Sequence, residues 1–256
     1  MSRTLLHISD LHFGRVPAHL PESLLAAARE IQPDVVVVSG DLTQRARVVE
    51  FEQARVFLDK LTYPTLVIPG NHDVPLYNPY GRFVERLARY RRLITDDLAP
   101  SYVDPEVAVL GVNTARSLTW KSGRINARQM AEVRAQLCEL PDTVARVVVT
   151  HHPYPVARIA LRSWSSCGAD VLLCGHLHIA AADVIGRTLI VNAGTATSSR
   201  MRGEANSFNV VVVDGRARVD VTQWAWTAGA FAKSLHLEFE REAGEWRKKS
   251  GAILSG

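Results

Sequence analysis

The sequence predicts an α/β protein with a parallel or mixed sheet, and three observations lead to this prediction. Short apolar runs alternate along the chain with segments whose apolar residues keep a helical period, which is typical of strands joined by helices. The run Val35–Val38 is four consecutive valines, as expected of a strand covered on both faces. From about residue 184 the segments look like strands joined by short turns. We therefore expect a more antiparallel C-terminal part.

The composition is that of a soluble globular protein without a low-complexity tract. The chain has 256 residues, of which 47% are hydrophobic and 22% charged, and this length is sufficient to bury a core. No apolar run approaches the roughly 20 residues of a membrane span. The formal net charge of +4 is compatible with a phosphate-bearing substrate and also with a solvated surface.

Cysteine usage and the N-terminus both predict a cytoplasmic protein. Cys138, Cys167 and Cys174 are an odd number without CxxC spacing, which indicates neither a disulfide framework nor a cysteine zinc site. A reducing compartment fits this pattern. The chain runs from Met1 through a few apolar residues to Asp10, which leaves no room for a signal peptide.

The first third of the chain is predicted to alternate strands with helices. Short apolar runs predict strands at 4–9, 34–39 and 65–68. Pro21 opens a predicted helix in its first turn, and a second helix is expected around Phe51, because both segments have a helical apolar period.

Residues 80–94 predict a further helix with a basic face formed by Arg82, Arg86, Arg89 and Arg92. Such a face could contact nucleic acid or anionic lipid. We favour a solvated face of a packed helix, because Glu85 interrupts the positive charges and no aromatic residues interleave on that face.

In the middle of the chain, strands are expected at 107–111, 146–150 and 170–174. Between the first two, Asn126 is predicted to cap a helix, with Gln129 three residues later as in a capping box.

The C-terminal part is expected to form strands at 188–191, 209–214 and 217–222, and Asp214-Gly215 is a strong hairpin signal. Residues 235–240 alternate apolar and polar side chains as an edge strand does. We expect a frayed tail from Arg247.

Five of the predicted strands end in residues that can bind metal ions. In open α/β sheets, sites form outside the carboxyl ends of the strands, so these five ends can converge. The residues are Asp10 and His12, Asp41, Asn71 and His72, His151 and His152, and His176 and His178.

The donor types indicate the chemistry of this predicted site. Carboxylates, an amide oxygen and imidazoles suit Mn²⁺, Fe or Zn²⁺ better than they suit a soft metal that prefers thiolates. This number of donors is too large for one tetrahedral ion but natural for two ions that share a carboxylate. Two ions roughly 3.5–4 Å apart can hold a bridging hydroxide and stabilise an in-line displacement at phosphorus.

Taken in order, five motifs resemble those of the calcineurin-like metallophosphoesterase superfamily. They are Asp10-Leu11-His12, Gly40-Asp41, Gly70-Asn71-His72-Asp73, His151-His152-Pro153 and Gly175-His176-Leu177-His178. Within that superfamily the chain looks most like bacterial class III cyclic-nucleotide phosphodiesterases, because Gly123-Arg124-Ile125-Asn126 with Gln129 resembles the segment that opens the helix before their HHP strand. The resemblance implies one domain over residues 1–256 and an αββα sandwich of two mixed sheets flanked by helices.

The resemblance also implies a role for each residue of the motifs. One metal ion would be held by Asp10, His12 and His178, the other by Asn71, His151 and His176, and Asp41 would bridge the two ions.

By the same resemblance, His72 would contact the phosphoryl oxygen or protonate the leaving group, as an imidazole can near neutral pH. Related phosphoprotein phosphatases carry an Asp three residues after the bridging carboxylate, where this chain has Gln44. An orienting partner for His72 must therefore come from elsewhere or be absent. Strand alternation is expected to point His152 away from the ions.

The leading functional hypothesis is a dinuclear metal-dependent phosphodiesterase that acts on a small phosphodiester, with 3′,5′-cyclic nucleotides first by resemblance. Arg45, Arg116 and Arg124 are candidates for contact with the substrate phosphate, as are Arg200 and Arg202.

Two alternatives remain open at this point: a pyrophosphatase of a nucleotide-linked lipid intermediate at a membrane surface, and a non-catalytic metal-binding scaffold of the same fold. A nucleic-acid substrate is not expected, because the chain lacks an obvious basic, aromatic-laced groove. Homo-oligomerisation is left open.

Overall fold

Two mixed β-sheets pack face to face and are covered on their outer faces by helices. The computed structural model describes residues 1–76, 86–117, 122–199 and 203–254. This arrangement confirms the predicted αββα sandwich of two mixed sheets.

The first sheet has seven strands in the order β13-β12-β11-β10-β1-β2-β3. β1, β2 and β3 are parallel, and β10 joins β1 in antiparallel fashion to begin an antiparallel series that ends at β13. The strands are β1 Ser2–Ile8, β2 Val35–Val38, β3 Thr65–Val67, β10 Ser207–Asp214, β11 Arg218–Thr227, β12 Ala230–Glu242 and β13 Glu245–Ile253.

The second sheet has six strands in the order β4-β5-β6-β7-β9-β8. Its four central strands are parallel, and the two outer strands are antiparallel to their neighbours. The strands are β4 Ser101–Val103, β5 Val107–Val112, β6 Ala145–Thr150, β7 Val171–His178, β8 Ala181–Ile185 and β9 Thr188–Gly194.

Helices cover the outer face of each sheet. α1, α2 and α3 pack on the first sheet, and α4 and α5 pack on the second, where a short 3₁₀ helix follows α5. The described helices are α1 His19–Ile31, α2 Val48–Asp59, α3 Ala88–Leu93, α4 Ala127–Glu139, α5 Tyr154–Trp164 and the 3₁₀ helix Ser165–Cys167.

Alternation along the inner strands explains why their sequences are apolar throughout. Val35 and Val37 face the core between the two sheets, whereas Val36 and Val38 face the helices outside. Because successive side chains point to opposite faces, a strand in the middle of this sandwich must be apolar at every position. The valine run therefore predicted its environment correctly.

The predicted start of α4 is confirmed in detail. The Asn126 side chain accepts a hydrogen bond from the backbone N–H of Gln129, and the Gln129 side chain accepts one from the backbone N–H of Asn126. Each bond satisfies a donor that the first turn of a helix leaves unpaired.

Some elements were not predicted. Residues 101–103 and 181–185 form the outer strands β4 and β8, and α5 follows the His151-His152-Pro153 motif. The outer strands are short and mostly exposed, so they lack a continuous apolar run.

The prediction for the C-terminus is wrong in two respects. Residues 235–240 belong to β12, which is not an edge strand, because β13 pairs along it. Residues 247–249 are not a frayed tail but part of β13, which is anchored by the buried Trp246. The exposed, charged sequence of β13, with Arg247, Lys248 and Lys249 in succession, is typical of an edge strand.

The cysteine prediction also needs correction. Cys138 at the end of α4 and Cys167 in the 3₁₀ helix are joined in a disulfide, with their Cα atoms 4.8 Å apart. Their proximity comes from the packing of α4 against the segment after α5, which sequence spacing does not reveal. Cys174 is free and buried, and the cysteine count no longer argues for a reducing compartment.

Among the described residues no helix is long and apolar enough to cross a membrane. The predicted basic helix at 80–94 lies partly outside the described residues, which contain its C-terminal portion as α3. In α3, Arg89 donates a hydrogen bond to the carbonyl of Ala46, so this arginine of the predicted basic helix holds the loop before α2.

Candidate metal centre

The sandwich brings the carboxyl ends of five strands to one place between the two sheets. Asp10, Asp41 and Asn71 follow β1, β2 and β3, while His151 follows β6, and His176 and His178 end β7. These strands are parallel within their sheets, so their carboxyl ends lie at the same edge. All the predicted metal-binding side chains therefore meet across the interface between the sheets.

The first cluster of donor atoms consists of Asp10, His12 and His178. Asp10 Oδ1 lies 3.1 Å from His178 Nε2 and 3.6 Å from His12 Nε2. The two histidine Nε2 atoms are 3.1 Å apart, and all three side chains are buried.

The second cluster consists of Asn71, His151 and His176. Asn71 Oδ1 lies 3.1 Å from His151 Nε2 and 2.9 Å from His176 Nδ1. The other ring nitrogen of His151, Nδ1, is 2.8 Å from the carbonyl oxygen of Ser39, which fixes the orientation of the ring.

Asp41 stands between the two clusters. Its Oδ1 lies 3.3 Å from His151 Nε2 in the second cluster, and its Oδ2 lies 3.7 Å from His12 Nε2 in the first. A carboxylate with one oxygen directed to each cluster has the arrangement needed to bridge two cations.

The donor set fits two metal ions. Ligands about 2.0–2.2 Å from one ion lie roughly 3.0–3.5 Å from one another, close to most distances within each cluster. Asp10 Oδ1 is buried and faces the Nε2 atoms of His178 and His12, 3.1 and 3.6 Å away, so a cation held between these three atoms would satisfy the buried carboxylate and both rings.

The two buried carboxylates of the site, Asp10 and Asp41, stay charged and raise the pKa of a neighbouring histidine. Burial opposes the charged form of Asp10, but hydrogen bonds from His12 and His178 hold the pKa of this carboxyl well below its usual range. Burial likewise opposes charge on Asp41, yet neighbouring histidines, His151 foremost, lower the pKa of this carboxyl. Burial disfavours charged His151, but Asp41 and Asp10 raise its pKa to about 9. The carboxylates therefore attract positive charge into a water-poor site.

The backbone at the site is strained, which the sequence did not predict. Asp10, His12, Asp41, His176 and His178 all have φ between 50° and 71°, the left-handed region that non-glycine residues rarely occupy. Such conformations cost on the order of 1–3 kcal/mol each and persist where the surroundings enforce them, commonly at functional sites.

Two glycines of the motifs are required by close approach. A Cβ on Gly70 would lie 2.1 Å from Asp41 Oδ1, and one on Gly175 would lie 1.9 Å from Ser9 Oγ. Glycine at 175 therefore lets the two sheets meet at the site, and glycine at 70 lets the loops after β2 and β3 lie side by side.

Asp73 is a residue of the site whose role the sequence did not predict. Its carboxylate accepts hydrogen bonds from the backbone N–H groups of Leu42, Thr43 and Gly70, and from the Thr43 hydroxyl. It thus ties the loop after Asp41 to the loop that carries Asn71. Burial and the charge of Asp41 raise the pKa of Asp73 to about 6.

His72 lies beside the clusters and is half-buried. Its backbone N–H donates to Asp41 Oδ1, and its Nδ1 lies 2.8 Å from the carbonyl oxygen of Gln44. A main-chain carbonyl thus supplies the orienting partner of His72 that the sequence left open. This carbonyl belongs to the main chain, so it is present whichever side chain stands at position 44.

His152 packs beside the second cluster, with its ring 4.8 Å from that of His176 and 5.1 Å from that of His151, measured between centroids. Its Nδ1 lies 2.7 Å from Thr114 Oγ1, and a Cβ on Gly123 would lie 2.3 Å from the same nitrogen. The side chain therefore packs against the loop that contains Arg124.

Arg116, a candidate for phosphate contact, supports a loop in this structure. Its guanidinium donates to the carbonyls of Asn113 and Ala115 and to Gln129 Oε1, so it holds the loop before α4. Burial, with the positive charges of Arg86 and Arg124, lowers the pKa of Arg116.

Of the other arginine candidates, Arg45 and Arg124 lie on described loops. Arg45 begins the turn before α2, where its backbone N–H donates to Glu50. Arg124 is exposed, and its backbone N–H donates to the carbonyl of Thr114. Arg200 and Arg202 lie outside the described residues.

A separate group of potential ligands was not predicted. Asp220, His236 and Glu238 on β11 and β12 place one donor atom each within 4.8 Å of one another. Arg218 pairs with both carboxylates, at 3.0 and 3.2 Å, so it already neutralises much of their charge. His236 is half-buried, and its Nδ1 lies 2.9 Å from Thr222 Oγ1.

With this geometry established, comparison with known families identifies the group of proteins concerned. The sequence model of the calcineurin-like phosphoesterase superfamily domain matches residues 4–216. The chain belongs to the calcineurin-like phosphoesterase superfamily. The expected membership of a family of phosphoester hydrolases is therefore confirmed.

Two curated relatives of this superfamily member have phosphodiesterase names. Glycerophosphodiester phosphodiesterase GpdQ of Enterobacter lignolyticus is 31% identical over 173 residues, which are 59% of this chain and 58% of the relative. A probable cyclic nucleotide phosphodiesterase of Synechococcus is 23% identical over 170 residues, 60% of this chain and 59% of the relative. The matched part thus spans less than two thirds of either relative.

Solved structures agree on the fold of the superfamily. Purple acid phosphatase PPD1 of yellow lupin superposes with a TM-score of 0.73 at 12% identity, covering 95% of this chain and 54% of the other. A dimetal phosphatase from Danio rerio gives a TM-score of 0.64 at 14% identity, covering 90% of this chain and 98% of the other. At these identities the likeness concerns the fold alone.

Proposed function

We propose that this protein is a dinuclear metal-dependent phosphodiesterase that hydrolyses a small phosphodiester. The observation that carries the proposal is the position of Asp41, whose two carboxylate oxygens are directed to two different clusters of ligands. One shared carboxylate between two nearly complete ligand sets is the arrangement that two-metal hydrolysis requires.

Each ion has its own set of ligands in this proposal. Asp10, His12 and His178 would hold one ion, Asn71, His151 and His176 would hold the other, and Asp41 would bridge them. When bound, two such ions would supply a water of lowered pKa as nucleophile and would neutralise charge on the phosphoryl oxygens.

The protein side chains around the ions perform the remaining tasks. The Gln44 carbonyl lies 2.8 Å from Nδ1 of His72 and orients the half-buried ring, whose Nε2 would meet the substrate or the leaving group. Asp73 fixes the spacing of the loops that carry Asp41 and Asn71. Both interactions position groups before the substrate arrives, which is how such sites lower a barrier.

The substrate class rests on the relatives and on the resemblance of the Gly123–Asn126 segment. We place 3′,5′-cyclic nucleotides first, because that segment packs against His152 beside the site. A glycerophosphodiester is the second candidate, because GpdQ is the relative at 31% identity. Pyrophosphate hydrolysis of a nucleotide-linked lipid and a non-catalytic scaffold remain the alternatives to be excluded by experiment.

A substrate panel with metal analysis tests the proposal. The purified protein is loaded with Mn²⁺, Fe or Zn²⁺ and assayed on an aryl monoester, an aryl diester, cyclic AMP, a glycerophosphodiester and a nucleotide-linked lipid. Asn71→Ala is the inactive control, and Gln53→Ala, which removes an exposed amide on α2, is the matched control. We expect metal-dependent turnover with the diesters preferred. Absence of metal-dependent turnover on every substrate would exclude the enzyme, and preference for the monoester would exclude the diesterase.

The cytoplasmic location stays a prediction, and the Cys138–Cys167 pair provides its test. Disulfides persist in oxidising compartments and are rare in reducing ones. Alkylation of the protein directly in lysed cells, followed by peptide mass analysis, distinguishes the two states of this pair. Oxidised Cys138 and Cys167 in freshly quenched cells would contradict a reducing environment.

A further inference from the structure

Four arginines converge at the end of the sheets opposite to the metal centre. Arg146 begins β6, Arg187 precedes β9, Arg216 lies in the β10–β11 turn, and Arg241 lies near the end of β12. We call these four residues the arginine cluster. Asp170, to which two of them bind, stands before β7, whose other end carries His176. At about 3.3 Å per strand residue the cluster is roughly 20 Å from that histidine.

The arginine cluster has more positive charge than its carboxylates neutralise. Buried Asp170 binds Arg216 Nε at 3.0 Å and Arg241 Nη1 at 2.6 Å. The second carboxylate, Asp142, lies 3.4 Å from Arg146 and 3.6 Å from Arg216, and its side chain is 97% exposed. Four guanidinium groups thus face two carboxylates, and solvent screens the weaker one.

Asp170 has no further capacity to accept hydrogen bonds from the arginine cluster. Besides the two arginines, its Oδ2 accepts the backbone N–H of Arg146 at 2.9 Å. Among the residues that the structure describes, the Nε atoms of Arg146 and Arg241 are buried without a hydrogen-bond partner. A buried charged donor without an acceptor is costly, typically by more than a neutral hydrogen bond is worth. Arg241 also lines a cavity, so its Nε indicates that an acceptor belongs there.

A cavity of about 40 Å³ lies among these side chains. Its lining consists of Gly168, Ala169, Arg187, Thr188, Arg216 and Arg241, and no carboxylate belongs to it. One water needs about 10–15 Å³ by the same measure, so the cavity has room for a small tetrahedral oxyanion. Arg187 is exposed at its edge, where Nε donates to the carbonyl of Gly244 at 3.3 Å.

Gly168 keeps this cavity open. Its φ of +71° favours glycine, and a Cβ there would lie 2.1 Å from Arg216 Nη2 and 3.3 Å from Arg146 Nη1. Any side chain at position 168 would displace the guanidinium that reaches over to Asp170.

We propose that the arginine cluster is a second anion-binding site, for a phosphate group, remote from the metal centre. Guanidinium groups present planar pairs of donors that match phosphate oxygens. Arg187, Arg216 and Arg241 bind the phosphate, and Asp170 positions the last two. The ligand is free phosphate or the phosphate of a monoester that enters past Arg187.

Calorimetric titration of the metal-loaded protein with inorganic phosphate tests this site. We expect two phosphates bound per chain, one of which inhibits turnover of an aryl diester. Arg187→Gln removes a donor at the cavity without disturbing the Asp170 pairs, so it should weaken the non-inhibitory phosphate by about tenfold or more. Its melting temperature without phosphate, its metal content and the inhibition constant for phosphate should equal those of the wild type.

The matched control is Arg128→Gln, which removes an exposed arginine that pairs with one carboxylate on α4 and should leave both phosphates in place. A parallel titration with 5′-AMP distinguishes a monoester from free phosphate as the ligand of the second site. If 5′-AMP binds there as tightly as inorganic phosphate, the ligand is a monoester, and if 5′-AMP binds more weakly, the ligand is free phosphate. The proposal is overturned if the wild type binds only the inhibitory phosphate, or if Arg187→Gln retains both sites unchanged. Either result would make the arginine cluster a structural clamp on Asp170.

Discussion

The Nε2 atoms of His12 and His178, from opposite sheets of the sandwich, lie 3.1 Å apart in a fully buried site. Two imidazole nitrogens at this distance need a proton or a cation between them. Nδ1 of His12 lies 3.3 Å from the carbonyl oxygen of Thr43, which favours the tautomer with its proton on Nδ1 and a lone pair on Nε2. Burial lowers the pKa of His12 despite the nearby charges of Asp10 and Asp41, which disfavours a second proton on this ring. A shared metal ion is therefore the arrangement that this pair favours.

Substitution of the two histidines of β7 should remove different metal ions. His178 faces Asp10 and His12, whereas His176 Nδ1 lies 2.9 Å from Asn71. We expect His178→Ala and His176→Ala each to reduce the metal content from about two ions to about one. With two distinguishable metals, measured by mass spectrometry, each variant should lose a different element. Loss of the same ion from both variants would contradict the division of ligands.

Removal of the His72 ring should lower turnover, whereas removal of the Gln44 side chain should not. His72→Gln removes the ring that can reach the leaving group, and a positioned proton donor contributes about 10²–10⁴-fold. We expect kcat for an alkyl diester to fall by at least about 100-fold, with metal content retained.

Gln44→Ala is the matched variant, because it removes the side chain but keeps the carbonyl that holds His72 Nδ1. Its kcat should stay within about twofold of the wild type, well below the effect of losing a proton donor. If His72→Gln turned over the alkyl diester at the wild-type rate, the role assigned to His72 would have to be abandoned.

The motifs predicted the site because strand ends have a simple geometry. Apolar runs such as Val35–Val38 identify strands buried on both faces, and the residues after them must appear at one edge of a parallel sheet. That argument needs only local sequence. It predicts that Asp10, Asp41 and Asn71 converge, and these residues follow three neighbouring parallel strands of the first sheet.

The parts that escaped prediction depend on contacts between distant segments. Asp73 acts through backbone N–H groups of the loop after Asp41, 30 residues away, and no side-chain pattern records a backbone donor. The left-handed φ of Asp10 and His176 is imposed by the meeting of the two sheets. The strand β13 has an exposed, charged sequence, and its pairing with β12 decides its structure.

Removal of the Asp73 carboxylate should loosen both metal-bearing loops. Asp73→Ala leaves three buried backbone N–H groups, those of Leu42, Thr43 and Gly70, without their acceptor. At about 1–3 kcal/mol for an unsatisfied buried donor, partly relieved by relaxation, we expect a loss of about 3 kcal/mol in the free energy of unfolding.

Metal affinity should fall with Asp73→Ala, because Asp41 and Asn71 lose their common support. Urea unfolding and metal titration measure the two effects, and Asp73→Asn should lie between Ala and the wild type because it retains one acceptor oxygen. Asp59→Ala, on the exposed surface of α2, is the control. Unchanged stability in Asp73→Ala would show that water replaces the carboxylate without loss.

His7 should make stability depend on pH in a window set by its burial. The side chain is fully buried, its Nε2 lies 2.9 Å from Ser39 Oγ, and its Nδ1 has no partner. Burial lowers its pKa to about 3, although the charge of Asp10 acts in the opposite direction. In the unfolded chain the pKa is about 6.5. Between these values the unfolded state binds more protons, so the contribution of His7 to stability is complete above about pH 6.5 and declines as the pH falls towards 3.

The size of this effect is measurable by urea unfolding of metal-free protein at pH 7.5 and pH 5. At pH 5, about 1.5 units below the pKa of an unfolded histidine, protonation of His7 in the unfolded chain lowers the free energy of unfolding by about 2 kcal/mol. The wild type should therefore lose about 2 kcal/mol more than His7→Gln between the two pH values, because glutamine keeps a partner for Ser39 but does not titrate. The metal ligands titrate in both proteins, so their contribution cancels in the difference. His236→Gln, which alters a half-buried histidine of β12, should follow the wild type. Equal losses in wild type and His7→Gln would mean that protonated His7 is accommodated in the folded core, for which Asp10 is the available counter-charge.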